Sequence, residues 1–179
     1  MSSVQQDYQS RRLKFIALNP TMQQHFTALY RNEIVMSKIM PCLSTDQAAK
    51  LFERLYRHKP ITFWGIYLQS DLSFLGVQGF LPETKGLPES NREFGILLDP
   101  AAFGKGIAFE SVSRMLAFGF QRMSLTKAYA YFDRHNIAIE KIAKRLNFKV
   151  NTSPRSPIEC YCSISSADFL AYNPEVYLD

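Results

Sequence analysis

A mixed α/β or α+β fold is what the order of sequence elements predicts: a strand, two helices, a hairpin and a third strand, then helix, strand, helix and two more strands. Three observations carry it. Apolar residues recur at helical spacing in four segments, aromatic and β-branched residues gather in short runs between them, and turn-forming dipeptides mark the breaks. No repeat, low-complexity tract or Ser/Gly/Pro-rich linker divides the chain, so residues 1–179 are expected to form one domain. At 46% hydrophobic and 13% aromatic content, a chain of this length buries about 70% of its unfolded surface, enough for one core.

The first strand is expected over residues 12–18 and gives way at Asn19-Pro20, an N-cap residue followed by proline at the first helical position. Met22, Phe26, Leu29 and Tyr30 follow at helical spacing and make the first helix. Ser44-Thr45-Asp46-Gln47 has the form of a capping box, and Ala48, Leu51, Phe52, Leu55 and Tyr56 supply the apolar face of a second helix. I-T-F-W-G-I-Y-L and F-L-G-V-Q-G-F, separated by Q-S-D-L-S, read as a hairpin. The turn E-T-K-G-L-P-E-S-N leads to a strand over residues 92–98 that stops at Asp99-Pro100. From Gly106, the positions of Ile107, Met115, Leu116 and Phe120 support a helix of about four turns. A strand over residues 127–132 leads to a last helix, where Ile139, Ile142, Ala143 and Leu146 form an i, i+3, i+4, i+7 stripe.

Charge and composition narrow the function classes. Lys plus Arg is 21 and Asp plus Glu is 16, so the formal charge is 21 − 16 = +5. The charges are scattered, with no run of like sign such as nucleic-acid arms show, and a nucleic-acid partner is disfavoured. The start, M-S-S-V-Q-Q-D-Y-Q-S-R-R, has no apolar signal region and no stretch is long and apolar enough to span a bilayer, so neither secretion nor membrane insertion is expected. Cys42, Cys160 and Cys162 are odd in number and lack metal-type spacing, which suggests free thiols in a reducing cytoplasm and no metal site.

The most informative stretch is D-P-A-A-F-G-K-G-I-A-F-E-S, where Gly104 and Gly106 flank Lys105 between a strand and a helix. A helix start leaves backbone N–H groups without intrahelical partners and attracts anions, worth about 0.3–1 kcal/mol per charge. Glycine lets a phosphate approach the backbone closely. Two phosphate loops fail the test: Lys105 is followed by Gly106 rather than the Ser/Thr of a P-loop, and the third position after Gly106 is Phe109 rather than a dinucleotide-fold glycine.

With E-F-G-I-L-L-D-P-A-A-F-G-K-G-I-A-F-E-S followed thirty residues later by Asn136 and the helix ending at Asn147-Phe148, the sequence resembles the GNAT superfamily of acyl-CoA-dependent N-acetyltransferases. Within it, the aromatic-Gly-Lys-Gly loop is most similar to the Rim-type branch, which acetylates N-terminal amines of ribosomal proteins. The resemblance covers nearly the whole chain. It implies a mixed, mostly antiparallel central sheet of six to seven strands flanked by about four helices, and acetyl-CoA as the acyl donor. It further implies that strand residues 94–98, including Ile96, Leu97 and Leu98, offer main-chain groups to the pantetheine arm. Phe103, Gly104, Lys105, Gly106, Ile107 and Ala108 would hold the pyrophosphate, with Asn136 also in the CoA set. Phe103 stands where the superfamily more often has Gln or Arg, a departure that the branch shares.

The family's usual proton donors are absent. The tyrosine position is Ala143 and the branch's serine position is Ile139. A thiol of pKa about 8.5 leaves tolerably as the thiolate, so transfer by direct attack of an amine survives their loss. Glu93, near the cleft entrance of its strand, and Glu159, on a C-terminal strand, are the candidate general bases; each also reads as a solvent-facing strand carboxylate. Asn136 fits an N-cap as well as a ligand contact, Glu110 fits the first turn of a helix, and His135 reads as a surface histidine without a carboxylate partner in the sequence. Asn147 in place of the family's glycine is the residue that next best tolerates a left-handed helix end. Tyr172 and Tyr177 fit either a cover over the cleft or a dimer contact. The expected partners are acetyl-CoA and an amine acceptor, either a protein or peptide α-amine or a small molecule. A catalytically weak acyl-CoA-binding module is the alternative, and both monomer and homodimer stay open.

Overall fold

Eight strands form one sheet in the order β1-β2-β3-β4-β5-β6-β8-β7, joined by six α-helices, in a computed structural model that describes residues 7–58, 62–82 and 88–173. β1 (Tyr8–Gln9) and β2 (Leu13–Ala17) open it, and burial along β2 alternates, with Leu13, Phe15 and Ala17 facing the core. The Asn19 side chain then accepts a hydrogen bond from the Thr21 N–H at 3.1 Å and starts a short 3-10 turn, Pro20–Met22. That turn feeds α1 (Gln23–Arg31), and Asn32 caps α2 (Glu33–Met36) by accepting from Ile34 and Val35. The capping box at the start of α3 (Thr45–Arg57) is formed in both directions: the Gln47 N–H donates to Ser44 Oγ at 3.2 Å and the Ser44 N–H to Gln47 Oε1 at 2.8 Å.

The hairpin β3 (Phe63–Leu68) and β4 (Phe74–Phe80) continues into β5 (Asn91–Leu98), all antiparallel. α4 (Ile107–Arg122) then crosses to β6 (Lys127–Asp133), which lies parallel to β5. α5 (Ile137–Arg145), β7 (Lys149–Thr152), β8 (Glu159–Ser165) and α6 (Ser166–Tyr172) complete the chain, with β8 between β6 and β7. One core joins the sheet to α1 and α3, through Phe26, Leu29, Phe52 and Leu55, and to α4. Val112, Met115, Leu116 and Phe118 are buried there, and Phe118 meets the fully buried Trp64 edge-on at 5.2 Å.

The expected six to seven strands become eight and the expected four helices become six among the described residues. The added strand, β1, is two residues long and too short to show any alternation. α2 is a single turn, and α6 follows β8 without a break, so the helix at Asn136 is not the last. Otherwise the elements fall within a few residues of expectation. Asn147 takes φ +64°, with its N–H on the Lys144 carbonyl and the Phe148 N–H on that of Ala143, a Schellman end to α5. The expected strand start at Ile61, turn residues 83–87 and Tyr177 lie outside the described residues.

Candidate active site

β5 and β6 pair only over Asn91–Glu93 and Lys127–Tyr129, and then separate. Beyond that fork β5 keeps its antiparallel bonds to β4, through Phe94 to Leu98. The Glu93 carbonyl accepts from the Leu81 N–H on the β4 side and the Asp99 N–H donates to Leu75 on the same side. Because main-chain groups alternate along a strand, those of Phe94, Ile96 and Leu98 face the gap, whereas those of Leu97 face β4. A cavity of about 1220 Å³ occupies the fork, with Glu93, Ile96, Leu97 and Asn136 among its walls. α2, the segment after it and the first turns of α5 close its sides.

Glu93 stands at the branch point, half-buried. Burial raises its carboxyl above the ordinary value, Arg155 opposes that shift and Glu159 adds to it. Glu159 also lines the cavity, and its Oε2 accepts a hydrogen bond from Ser153 Oγ at 2.5 Å. The structure therefore brings the two candidate carboxylates to one cavity. The Arg155 guanidinium carbon lies over the Tyr131 ring, 3.5 Å from its centre, and Tyr131 shares the wall with Glu93.

On the opposite wall the Asn136 side chain accepts from the Ile139 N–H at 3.4 Å, capping α5, and Ile139, Ile142 and Ala143 present an apolar face to the cavity. Neither position offers a proton. His135 is exposed as expected, but it does have a carboxylate partner: Asp133 Oδ1 lies 2.9 Å from its Nδ1 and accepts its backbone N–H at 2.7 Å. Nothing in the residue order marks this pair, because it forms only when the chain turns between β6 and α5. Lys38 Nζ donates to the His135 carbonyl at 3.0 Å, linking the segment after α2 to that turn. Tyr172 is exposed at the end of α6 and is not among the cavity walls.

The glycine loop lies past the end of the cavity, at the surface. The Asp99 side chain accepts from the Ala101 N–H at 2.8 Å and starts a 3-10 turn, Pro100–Ala102. Phe103 is 48% exposed, and Gly104 and Gly106 follow at φ +71° and +73°, which favours glycine at both. A Cβ at Gly104 would meet nothing within 4 Å, and one at Gly106 would meet only Arg12 Nη2 at 3.5 Å. The space over the loop is open, and α4 starts immediately after it at Ile107, so its first-turn N–H groups lack intrahelical acceptors. These features fit a pyrophosphate. Lys105 is exposed. Leu98, Phe103, Gly104, Lys105, Gly106, Ile107 and Ala108 thus form one strand-loop-helix unit adjoining the cavity, while Ile96, Leu97 and Asn136 line the cavity itself.

Two features escaped the sequence analysis. Tyr131 and the segment after α2 line the cavity, although nothing in their spacing marked them. Arg12 reaches the loop from the β1–β2 turn: its Nε donates to Glu110 Oε2 at 2.7 Å and its Nη1 to the Lys105 carbonyl at 3.0 Å. Glu110 therefore does more than favour the helix start. It also accepts from Ser10 Oγ at 2.7 Å and from the Arg12 N–H at 2.9 Å. Among the described residues no cluster of three or more His, Cys, Asp or Glu could hold a metal ion, and no helix is long and apolar enough to cross a membrane.

Comparison with known proteins agrees with this geometry. The sequence model of the acetyltransferase (GNAT) domain matches residues 12–149. A GNAT-family acetyltransferase from Bacillus anthracis superposes with a TM-score of 0.75 at 16% identity, covering 90% of this chain and 99% of that one. Spermidine N-acetyltransferase from Vibrio cholerae, solved with CoA and spermine, gives 0.74 at 18% identity over 90% and 99% of the two chains. A GCN5-related N-acetyltransferase from Brucella melitensis gives 0.74 at 12% identity over 96% and 84%.

Proposed function

The chain belongs to the GNAT acetyltransferase family, and from that premise we propose that it acetylates the α-amine of a protein or peptide at the β5–β6 fork, with Glu93 as the general base. As a family member it is an acetyl-CoA-dependent N-acetyltransferase. The observation that carries the rest is the place of Glu93 at the branch point of a fork, beyond which the β5 edge has no β6 partner among the described residues.

In this reading the pantetheine arm lies along β5, held by the main-chain groups of Phe94, Ile96 and Leu98, and the pyrophosphate rests on the amides from Gly104 to Ala108. The amine attacks the thioester carbonyl, forming the C–N bond, and strand N–H groups facing the gap stabilise the oxyanion. Glu93 takes the amine's proton and passes it to solvent. The C–S bond breaks, and CoA departs as a thiolate that takes its proton from water, because Ile139 and Ala143 offer none. Glu159, held by Ser153, acts on Glu93 by keeping its carboxyl more basic.

A modest base suits an α-amine. With a pKa of about 7.7, an α-amine is neutral roughly one time in six at pH 7, against about one in 2,500 for a lysine side chain. The Rim-type resemblance of the loop supports the same acceptor, and the free cysteines suit the cytoplasm in which such acceptors are made. A second reading, a small polyamine, is supported by the four carboxylates of the cavity wall, Glu33, Glu93, Asp133 and Glu159, against Lys38 and Arg54, and by the likeness to the spermidine enzyme. Mass spectrometry of products from a panel of peptides, spermidine and spermine separates the two. Acetylated peptide N-termini are expected. Acetylation of polyamines alone removes the α-amine reading, and no thiol release with any amine favours a binding module.

A further inference from the structure

The cation of the glycine loop is not the lysine between its glycines. We propose that Arg12, from the β1–β2 turn, is the phosphate-positioning residue of the loop: it clamps the loop backbone and presents its remaining N–H donors to the anion. The inference rests on the reading of the loop as a pyrophosphate site.

One contact holds the Arg12 backbone and two fix the guanidinium. Its Nε is bonded to Glu110 Oε2 at 2.7 Å and its Nη1 to the Lys105 carbonyl at 3.0 Å, while the Arg12 N–H is held by Glu110 Oε1 at 2.9 Å. Glu110 is itself held by Ser10 Oγ, so the turn, the first turn of α4 and the loop form one hydrogen-bonded unit. The Nη2 group is left over. It lies 3.5 Å from where a Gly106 Cβ would stand and makes no hydrogen bond among the described residues. The Arg12 side chain is 43% exposed, so a ligand can reach it.

Orientation decides between Arg12 and Lys105. A lysine on an exposed, four-carbon stem gives up rotamer freedom to hold an anion in place. Arg12 is already held, so its donors bind phosphate without that loss. Glu110 offsets part of the positive charge, but it lies on the Nε edge, and the Nη2 edge faces the loop.

The test compares acetyl-CoA with S-acetylpantetheine, a donor that carries no phosphate, in the full-length protein. Arg12→Gln is expected to raise the KM for acetyl-CoA about 10-fold or more, with kcat changed less than about 2-fold and the KM for S-acetylpantetheine unchanged. Lys105→Ala should raise the KM for acetyl-CoA less than about 3-fold. Arg12→Lys, which keeps the charge and loses the fork, should fall between wild type and Arg12→Gln and serves as the second variant if Arg12→Gln fails to fold. Equal losses with both donors would make Arg12 a structural residue only, and an unchanged KM for acetyl-CoA would remove its role altogether. If the wild type itself uses both donors equally well, the loop reading fails and the assignment of Arg12 falls with it, whereas a wild type that prefers acetyl-CoA and is unaffected by Arg12→Gln overturns the assignment of Arg12 alone.

Discussion

In the proposed mechanism Glu93 is the general base, and its protonation gives a signed prediction. Burial first, and Glu159 after it, raise its carboxyl, while Arg155 pulls the other way. Its acidic limb in kcat should therefore lie above the ordinary carboxylate value, because the base works only once its proton is gone. Glu93→Gln should lower kcat by about 100-fold near pH 7, and the deficit should narrow toward pH 9, where an α-amine loses its proton unaided. A pH–rate profile of the two proteins measures this, and equal ratios at every pH would deny Glu93 the role of base. Glu110 shows the opposite sign. Burial would raise its carboxyl, but the hydrogen bonds from Ser10 and Arg12 outweigh that and hold it below the ordinary value. Its contribution to stability is present above the unfolded-state pKa and lost as pH falls through the lower folded one, so Glu110→Gln should flatten the acid side of the stability curve measured by thermal unfolding.

At the scale of elements, what the sequence revealed depended on length. α3 and α4 span several turns, so their apolar stripes were readable, and the Ser44–Gln47 box announced itself by residue type. β1 and α2 are too short for any period to register. α6 did carry a signal, since Ser165 Oγ accepts from the Asp168 N–H at 3.1 Å, but it adjoins β8 with no turn between them. The glycine loop was legible because positive φ at two positions restricts residue choice. Arg12 was not, because its contact with Glu110 joins residues 98 apart and depends on the two-residue strand that positions its turn. The packing of α4 can be tested at Gly119, where a Cβ would lie 2.5 Å from Cζ of the fully buried Phe80. Helix propensity alone favours alanine by about 1 kcal/mol, yet overpacking costs about 1–3 kcal/mol, so Gly119→Ala is expected to lower Tm by about 2–4 °C. A higher Tm by calorimetry would show that Phe80 yields.

Across the whole molecule, a continuous sheet is opened at one place. β5 has a hydrogen-bonded partner along its β4 edge but loses β6 after Glu93, and the exposed edge, the cavity and the glycine loop follow one another along the same strand. An open strand edge is normally covered, because its main-chain groups seek partners. Here that edge suits an extended amide-bearing chain such as pantetheine, ending on a helix N-terminus suited to phosphate. The proposed acceptor side is less legible, since the cavity walls combine α2, α3, β6, β8 and the segments between them, whose residues meet only on folding.

Calorimetric titration of CoA into the wild type, Lys105→Ala and Gly106→Trp, each first checked for native far-UV circular dichroism, asks whether backbone amides hold the pyrophosphate. Saturable binding is expected of the wild type, slightly weaker binding of Lys105→Ala, and none of Gly106→Trp, whose side chain fills the open space over a backbone at φ +73°. Unchanged CoA affinity in Gly106→Trp, or a larger loss from Lys105→Ala, would contradict a cradle of backbone amides.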